Sequence, residues 1–142
     1  MKIVVILEDE SEREMAMTNV LSDVGDVKAL VFNNPWAVVE WLKEHPSECA
    51  LISLDHDLGR IRSIKGELVK PGTGWDVVDY MVTQPPSCPV ILHTGNREAG
   101  DGMREALERS KWNCRAVIPY PPDLDWVSKD WRKAVRSLLQ LI

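Results

Sequence analysis

Two short acidic segments stand out as residues that could do chemistry. Residues 53–59 read SLDHDLG, and residues 8–10 read EDE directly after the apolar run IVVIL. Carboxylates brought together repel one another and raise each other's pKa unless a cation lies between them. Hard oxygen ligands of this kind suit Mg²⁺ or Mn²⁺, with water and phosphate oxygens completing the coordination. If the two segments meet, the sequence predicts a divalent-metal pocket that handles phosphate. An acidic first helical turn is the alternative for EDE alone.

The elements that would have to position these residues are short strands alternating with helices. Five largely continuous apolar runs indicate parallel strands covered on both faces, at residues 2–7, 27–32, 49–54, 89–94 and 115–120. Between them, apolar residues recur at helical spacing; Asn34-Pro35 is a helix-start signal and Gly25 a stop signal. The pattern predicts an α/β fold, a three-layer αβα sandwich around a five-stranded parallel sheet of order 2-1-3-4-5.

This strand order predicts where the polar residues gather. Ligands of open parallel sheets bind beyond the carboxyl ends of the strands, where the strand order reverses. Strands one, three and four are neighbours in the order 2-1-3-4-5, so Glu8 or Asp9, Asp55 and Thr94 are expected to converge on one edge.

Two histidines, His56 and His93, occupy the same strand ends. A neutral imidazole near pH 7 can take a proton from water and return one to a leaving alkoxide, as the opening of a cyclic phosphodiester requires. A partly buried structural histidine is the alternative for each. Strand alternation predicts that His93 and Thr94 point to opposite faces, and burial of both histidines against a helix stays open.

A basic segment, RIRSIKGELVKPGTG, at residues 60–74 separates the third strand from the third helix. It exceeds the ~2–6 residues of a usual βα loop, so we expect either a solvated hairpin around Lys65-Gly66 or a phosphate-binding loop. Arginine can bind phosphate bidentately, which makes Arg60, Arg62 and, after the fourth strand, Arg97 the candidate substrate ligands.

Taken together, the segments VVILEDE, LISLDHDLG, GWDVV and PVILHTGN resemble the receiver domain of bacterial response regulators, a flavodoxin-like fold, along nearly the whole chain. The resemblance implies that Glu8 and Asp9 are the acidic pair that binds Mg²⁺ and that Asp55 accepts a phosphoryl group. It implies further that Thr94 is the hydroxyl residue and that Asp57 supplies a backbone carbonyl to the metal.

The sequence departs from ordinary receivers in three places. AVIPYPP puts Pro119 or Tyr120 where receivers have a lysine, the basic insertion is foreign to them, and both histidines replace apolar residues. The segments DHDLG, GTGWDVVDYM and HTGN followed by GDGM resemble a divergent branch, the cyclic-phosphate-processing receiver-like domains. That resemblance implies hydrolysis of a cyclic phosphate, for example at a damaged RNA end.

Three functions follow from these patterns. The first is metal-dependent hydrolysis of a cyclic phosphate in a small molecule or RNA end. Glu8, Asp9, Asp55 and Asp57 would hold Mg²⁺ or Mn²⁺, the histidines would exchange protons, and Thr94 or Asn96 would bind a phosphoryl oxygen. The second is a stand-alone response regulator that a histidine kinase phosphorylates on Asp55. The third is a pseudo-receiver that binds a protein partner and keeps the acidic pocket unused.

Composition limits the class of protein. The 142 residues suit one domain, and we expect a single receiver-like domain over residues 1–142. A net charge of −5 argues against a general DNA-binding surface, and no apolar run approaches the ~20 residues of a membrane span. Three cysteines without metal-type spacing indicate reduced thiols in a cytoplasmic protein.

Overall fold

The structure is a computed structural model that describes residues 1–120 and 123–140, without the side chains of residues 61 and 62. The strands are β1 Lys2–Leu7, β2 Val27–Phe32, β3 Cys49–Leu54, β4 Ile61–Arg62, β5 Leu68–Val69, β6 Val90–Leu92 and β7 Cys114–Ala116. The helices are α1 Ser11–Asp23, α2 Pro35–Glu44, α3 Gly74–Met81, α4 Arg97–Arg109 and α5 Arg132–Leu138, the last continuing from a π-helical turn at Val127–Trp131. None of these helices is both long and apolar enough to cross a membrane.

Five strands form one parallel sheet in the order β2-β1-β3-β6-β7. Because β4 and β5 form a separate hairpin, this is the predicted order 2-1-3-4-5, and the predicted fold class is confirmed. Alternate residues of β1 face opposite sides: Val5 packs with α2, α3 and α4, and Val4 packs with α1, the π-helical turn and α5. Helices therefore cover both faces of the sheet, as the continuous apolar runs predict.

Local chemistry explains where several helices begin and end. The Asn34 side chain accepts from the Ala37 N–H at 2.8 Å, with Pro35 in the first turn, as predicted. The helix α3 starts with a capping box, in which Trp75 N–H donates to the Thr73 hydroxyl and Thr73 N–H donates to Asp76. Gly25, with φ of +117°, follows α1, where the sequence predicts a stop.

The last two strands of the sheet, β6 and β7, end earlier than the apolar runs suggest. The strand β6 stops at Leu92 and β7 at Ala116, whereas the predictions ran to 94 and 120. Single backbone bonds continue beyond them, from His93 N–H to Leu54 at 2.9 Å and from Val117 N–H to Leu92 at 2.8 Å. Pro119 then has no N–H to extend the ladder, although it is buried like a strand residue.

The basic insertion contains a solvated hairpin. The strands β4 and β5 pair antiparallel, and Ser63 N–H donates to the Glu67 carbonyl at 2.8 Å. Gly66, with φ of +83°, makes the turn that the sequence places at Lys65-Gly66. The side chain of Ile64 at the tip is fully exposed. A role in phosphate binding for this hairpin stays a prediction.

Gly74 ties the start of α3 to the end of β3. Its N–H donates to the His56 carbonyl at 3.1 Å, and an added Cβ would overlap with the Asp55 carbonyl and lie 2.9 Å from Met103. We expect Gly74→Ala to lower the free energy of unfolding by about 1–3 kcal/mol, because rigid backbone blocks the methyl group. Urea denaturation measures this. Gly95→Ala is the control, since its Cβ would meet nothing within 4 Å; an equal loss in both variants would contradict the explanation.

Candidate metal and phosphate site

Three neighbouring strands deliver one polar residue each to the same edge of the sheet. The last residues of β1, β3 and β6 pair in one row, so the residues that follow them, Glu8, Asp55 and His93, lie side by side. One ligand atom from each lies within 4.8 Å of the other two. All three side chains are buried, and Glu8 and His93 are fully enclosed. Residues far apart in the chain thus form one buried cluster.

Glu8 is held as a charged carboxylate. Its Oε2 accepts the N–H groups of Asp9 and Glu10 at 3.0 Å each, and its Oε1 lies 3.2 Å from Nε2 of His93. Burial opposes ionisation, but the hydrogen bond and charge of His93, the Glu10 N–H and the Arg13 guanidinium outweigh it. Together they lower the pKa of Glu8 below its ordinary value. Glu8 is therefore an anion at neutral pH despite complete burial.

His93 is fixed by a chain of hydrogen bonds behind the sheet. The indole N–H of Trp131 donates to the Ser53 hydroxyl at 3.0 Å, and Ser53 Oγ lies 2.7 Å from Nδ1 of His93. The arrangement that satisfies every donor has Ser53 donate to Nδ1, which places the imidazole proton on Nε2, towards Glu8. The Trp126 ring stacks on the imidazole with ring centres 6.2 Å apart.

Asp55 is the carboxylate whose proton affinity the fold perturbs most. Its Oδ1 accepts the His56 N–H at 2.7 Å, and only 5% of the residue is exposed. Burial raises the pKa of Asp55 from 3.8 to about 6; His93, the His56 N–H and Arg13 act against this rise, and the Glu8 charge adds to it. A buried carboxylate with this pKa gains from any cation that approaches it.

Arg13 is a member of the site that the sequence reasoning missed. Its Nη1 lies 3.7 Å from Glu8 and 3.8 Å from Asp55, and its Nε lies 3.1 Å from Glu10. The guanidinium also lies 5.3 Å from the centre of the Trp126 ring. A signal existed in the sequence: a cation in the first turn of a helix opposes the helix dipole, so its presence there calls for a local anion.

Three predicted residues lie outside this buried cluster. The Asp9 carboxylate accepts the Gly59 N–H, and an added Cβ at Gly59 would lie 2.7 Å from Asp9 Oδ2. His56 pairs through Nδ1 with the carboxylate of Asp57 at 3.0 Å, and the Asp57 side chain is 69% exposed. The described side-chain contacts of these three residues are therefore with one another or with Gly59, not with the three members of the buried cluster.

The side of the sheet edge that faces α4, opposite His93, holds three of the residues predicted to bind phosphate: Thr94, Asn96 and Arg97. Thr94 is buried towards Gly100 of α4, so it and His93 point to opposite faces, as strand alternation predicts. Its hydroxyl oxygen accepts the Asn96 N–H at 3.1 Å, and Asn96 in turn caps α4 through the Ala99 N–H at 3.0 Å. A pocket of about 290 Å³ beside them is also lined by Arg97.

Of the two arginines of the insertion that were predicted to bind phosphate, the structure describes the side chain of Arg60. Arg60 is exposed, and the side chain of Arg62 lies outside the described residues. Neither takes part in the described contacts of the buried cluster.

The donor set fits a divalent cation. Glu8 and Asp55 offer carboxylate oxygens within 4.8 Å of each other, and such oxygens suit Mg²⁺ and Mn²⁺. The Arg13 guanidinium lies 3.7 and 3.8 Å from these two like charges, farther than in a hydrogen bond, so a cation between them would stabilise the pair. The two carboxylates therefore match the chemistry of a divalent cation.

Comparison with solved structures identifies the class of fold. The chain is similar to the Mn²⁺-bound form of response regulator Rcp1 (18% identity, 96% of this chain and 93% of that chain, TM-score 0.71). It is also similar to the response regulator domain of Thermotoga maritima CheB (14% identity, 100% and 98%, TM-score 0.68). A third is the signal receiver domain of a putative LuxO repressor protein from Vibrio parahaemolyticus (15% identity, 98% and 90%, TM-score 0.68). This is the receiver fold.

The sequence itself identifies the family more closely. The profile of the cyclic-phosphate processing receiver domain matches residues 3–109, and the chain belongs to this family. No curated protein matches the sequence. Both resemblances predicted from the sequence, to receivers and to their cyclic-phosphate-processing branch, are confirmed.

The raised pKa of Asp55 predicts a pH-dependent stability. The folded state holds the proton up to about pH 6 and the unfolded state only to about 3.8, so stability falls as pH rises through this window. We expect Asp55→Asn to stabilise the metal-free protein at pH 8 by up to about 3 kcal/mol, since each pKa unit corresponds to about 1.4 kcal/mol. The gain should shrink by pH 4.

Urea denaturation in a chelating buffer at pH 4, 6 and 8 measures this difference. Asp79→Asn, at an exposed position of α3, is the matched control and should change stability little at any of these pH values. A destabilised Asp55→Asn at pH 8 would show that the ionised carboxylate makes contacts that outweigh its burial.

Proposed function

We propose that this domain binds a divalent cation, Mg²⁺ or Mn²⁺, and hydrolyses a cyclic phosphate. The observation that carries the proposal is the meeting of Glu8, Asp55 and His93 in one buried cluster. Membership of the cyclic-phosphate processing receiver domain family supports the class of substrate. The substrate is then a phosphate-containing small molecule or an RNA end.

Glu8 and Asp55 would hold the ion. A bound divalent cation supplies polarisation of the phosphate and acidifies a water molecule. Asp9 would join the ligands only after its carboxylate releases the Gly59 N–H. The Asp57 side chain is bound to His56, so its contribution would come from its backbone carbonyl.

The two histidines would have different tasks. His93 is fully buried and donates towards Glu8, so it would fix the position and charge of that carboxylate. His56 has a partly exposed side chain that pairs with Asp57, and it would exchange protons with water and with the leaving alkoxide.

Phosphoryl oxygens would be bound on the α4 side. The Thr94 hydroxyl accepts the Asn96 N–H and keeps its own proton to donate. The Asn96 side chain uses its oxygen to cap α4 and keeps its NH₂ group. Arg97 lines the same pocket, and Arg60 and Arg62 of the insertion would approach from the hairpin.

The first test is turnover of 2′,3′-cyclic nucleotides with Mg²⁺ or Mn²⁺, followed by phosphorus NMR. We expect hydrolysis that a chelator abolishes and that Glu8→Gln and Asp55→Asn each reduce by at least about 100-fold, the usual scale for loss of a charged group that stabilises the transition state. Asp79→Asn should retain activity. Manganese binding without turnover of any base with either metal would contradict the proposal.

A second function is favoured by the carboxylate of Asp55 itself. Its Oδ1 is used by a backbone N–H, whereas its Oδ2 contacts only Arg13 among the described contacts, which leaves an oxygen for phosphoryl transfer from a histidine kinase. Acetyl phosphate with Mg²⁺ should then give a mass gain of one phosphoryl group that is lost in Asp55→Asn. An adduct without cyclic-phosphate turnover would favour this function over hydrolysis; unmodified protein would exclude it.

A further inference from the structure

We infer that Arg13 binds the phosphate of the substrate. The inference rests on the proposed function, because it places a divalent cation beside Glu8 and Asp55. It adds a substrate ligand to the site.

Arg13 reaches the site from α1 and is held on three sides. Its Nε contacts Glu10 at 3.1 Å and its guanidinium lies over Trp126, while Nη1 contacts both buried carboxylates. The side chain is 22% exposed, so it connects the buried cluster with solvent. A guanidinium held in this way is planar, permanently charged and in contact with both buried carboxylates, where a substrate anion would need a cation.

The contacts of Arg13 with Glu8 and Asp55 are loose. Distances of 3.7 and 3.8 Å exceed those of a charge-assisted hydrogen bond, which lie at about 2.7–2.9 Å. A cation held by both carboxylates would take over their neutralisation. Nη1 of Arg13 would then be free to pair with a phosphate oxygen, while Glu10 and Trp126 still support the guanidinium.

The experiment uses the Mn²⁺-loaded protein with dimethyl phosphate and methyl phosphate as probes at pH 8. Bound Mn²⁺ enhances phosphorus relaxation of a ligand beside it, which reports binding without turnover. We expect the wild type to bind dimethyl phosphate and methyl phosphate, because each presents a charged phosphate oxygen to Arg13. Arg13→Gln should weaken dimethyl phosphate binding by about 10- to 100-fold, the range for a hydrogen bond to a charged group. Arg13→Lys, which keeps the positive charge, should bind dimethyl phosphate with an affinity between those of the wild type and Arg13→Gln.

Two further measurements separate phosphate binding from a structural role. Manganese affinity should stay the same or rise in Arg13→Gln, because a competing cation is removed. Arg109→Gln, at an exposed ion pair of α4, is the matched control and should bind both probes like the wild type.

The outcomes separate this inference from the proposed function. Unchanged dimethyl phosphate binding in both Arg13 variants overturns the inference even where cyclic nucleotides are hydrolysed. Absence of turnover with binding that depends on Arg13 supports the inference and removes the proposed hydrolysis. Absence of dimethyl phosphate binding in the wild type overturns the inference whatever the turnover.

Discussion

Two carboxylates buried side by side at the ends of β1 and β3 impose the constraint on which the rest of this structure depends. Removing a charge from water is costly, and placing a second like charge beside it adds to the cost. Hydrogen-bond donors and a cation offset this cost. Two backbone N–H groups donate to Glu8 and one to Asp55. The imidazole N–H of His93 and the guanidinium of Arg13 add to them. These donors come from the strand ends and from α1, so the site and the sheet stabilise each other.

The buried charges of Glu8 and Asp55 are compensated to different extents, and the two acids therefore have different roles. Glu8 receives the stronger set of donors, and its pKa is lowered, whereas burial prevails at Asp55 and raises its pKa to about 6. Glu8 is thus a permanent anion, fixed in place before any ligand arrives. Asp55 is the group whose state changes most when a cation binds, and it is the acid nearer to solvent. A fixed anion beside a responsive one suits a site that binds a metal and a phosphate together.

The positions of the strands and the ends of the helices could be predicted from the sequence because they depend on local patterns. The apolar runs and the Asn34 and Gly25 signals located the sheet and its helices, and pairing of strand ends brought Asp55 to the edge as expected. The partners of these residues were not readable. Arg13 meets Asp55 only through the rotation of α1, and Trp131 meets Ser53 across 78 positions of the chain. Such contacts depend on how helices pack, for which residue spacing gives no direct signal.

The π-helical turn at Val127–Trp131 explains how two tryptophans of one helix reach the same histidine. Trp126 stacks on His93, and Trp131 donates to the Ser53 hydroxyl that holds the same imidazole. In an α-helix, residues five apart lie roughly 140° away from each other around the axis, so the two indoles would face different surroundings. A π-helical turn closes with i to i+5 bonding, which brings residues five apart back to one face. The widened turn therefore lets one helix face supply both indoles, and through His93 it supports the charge of Glu8.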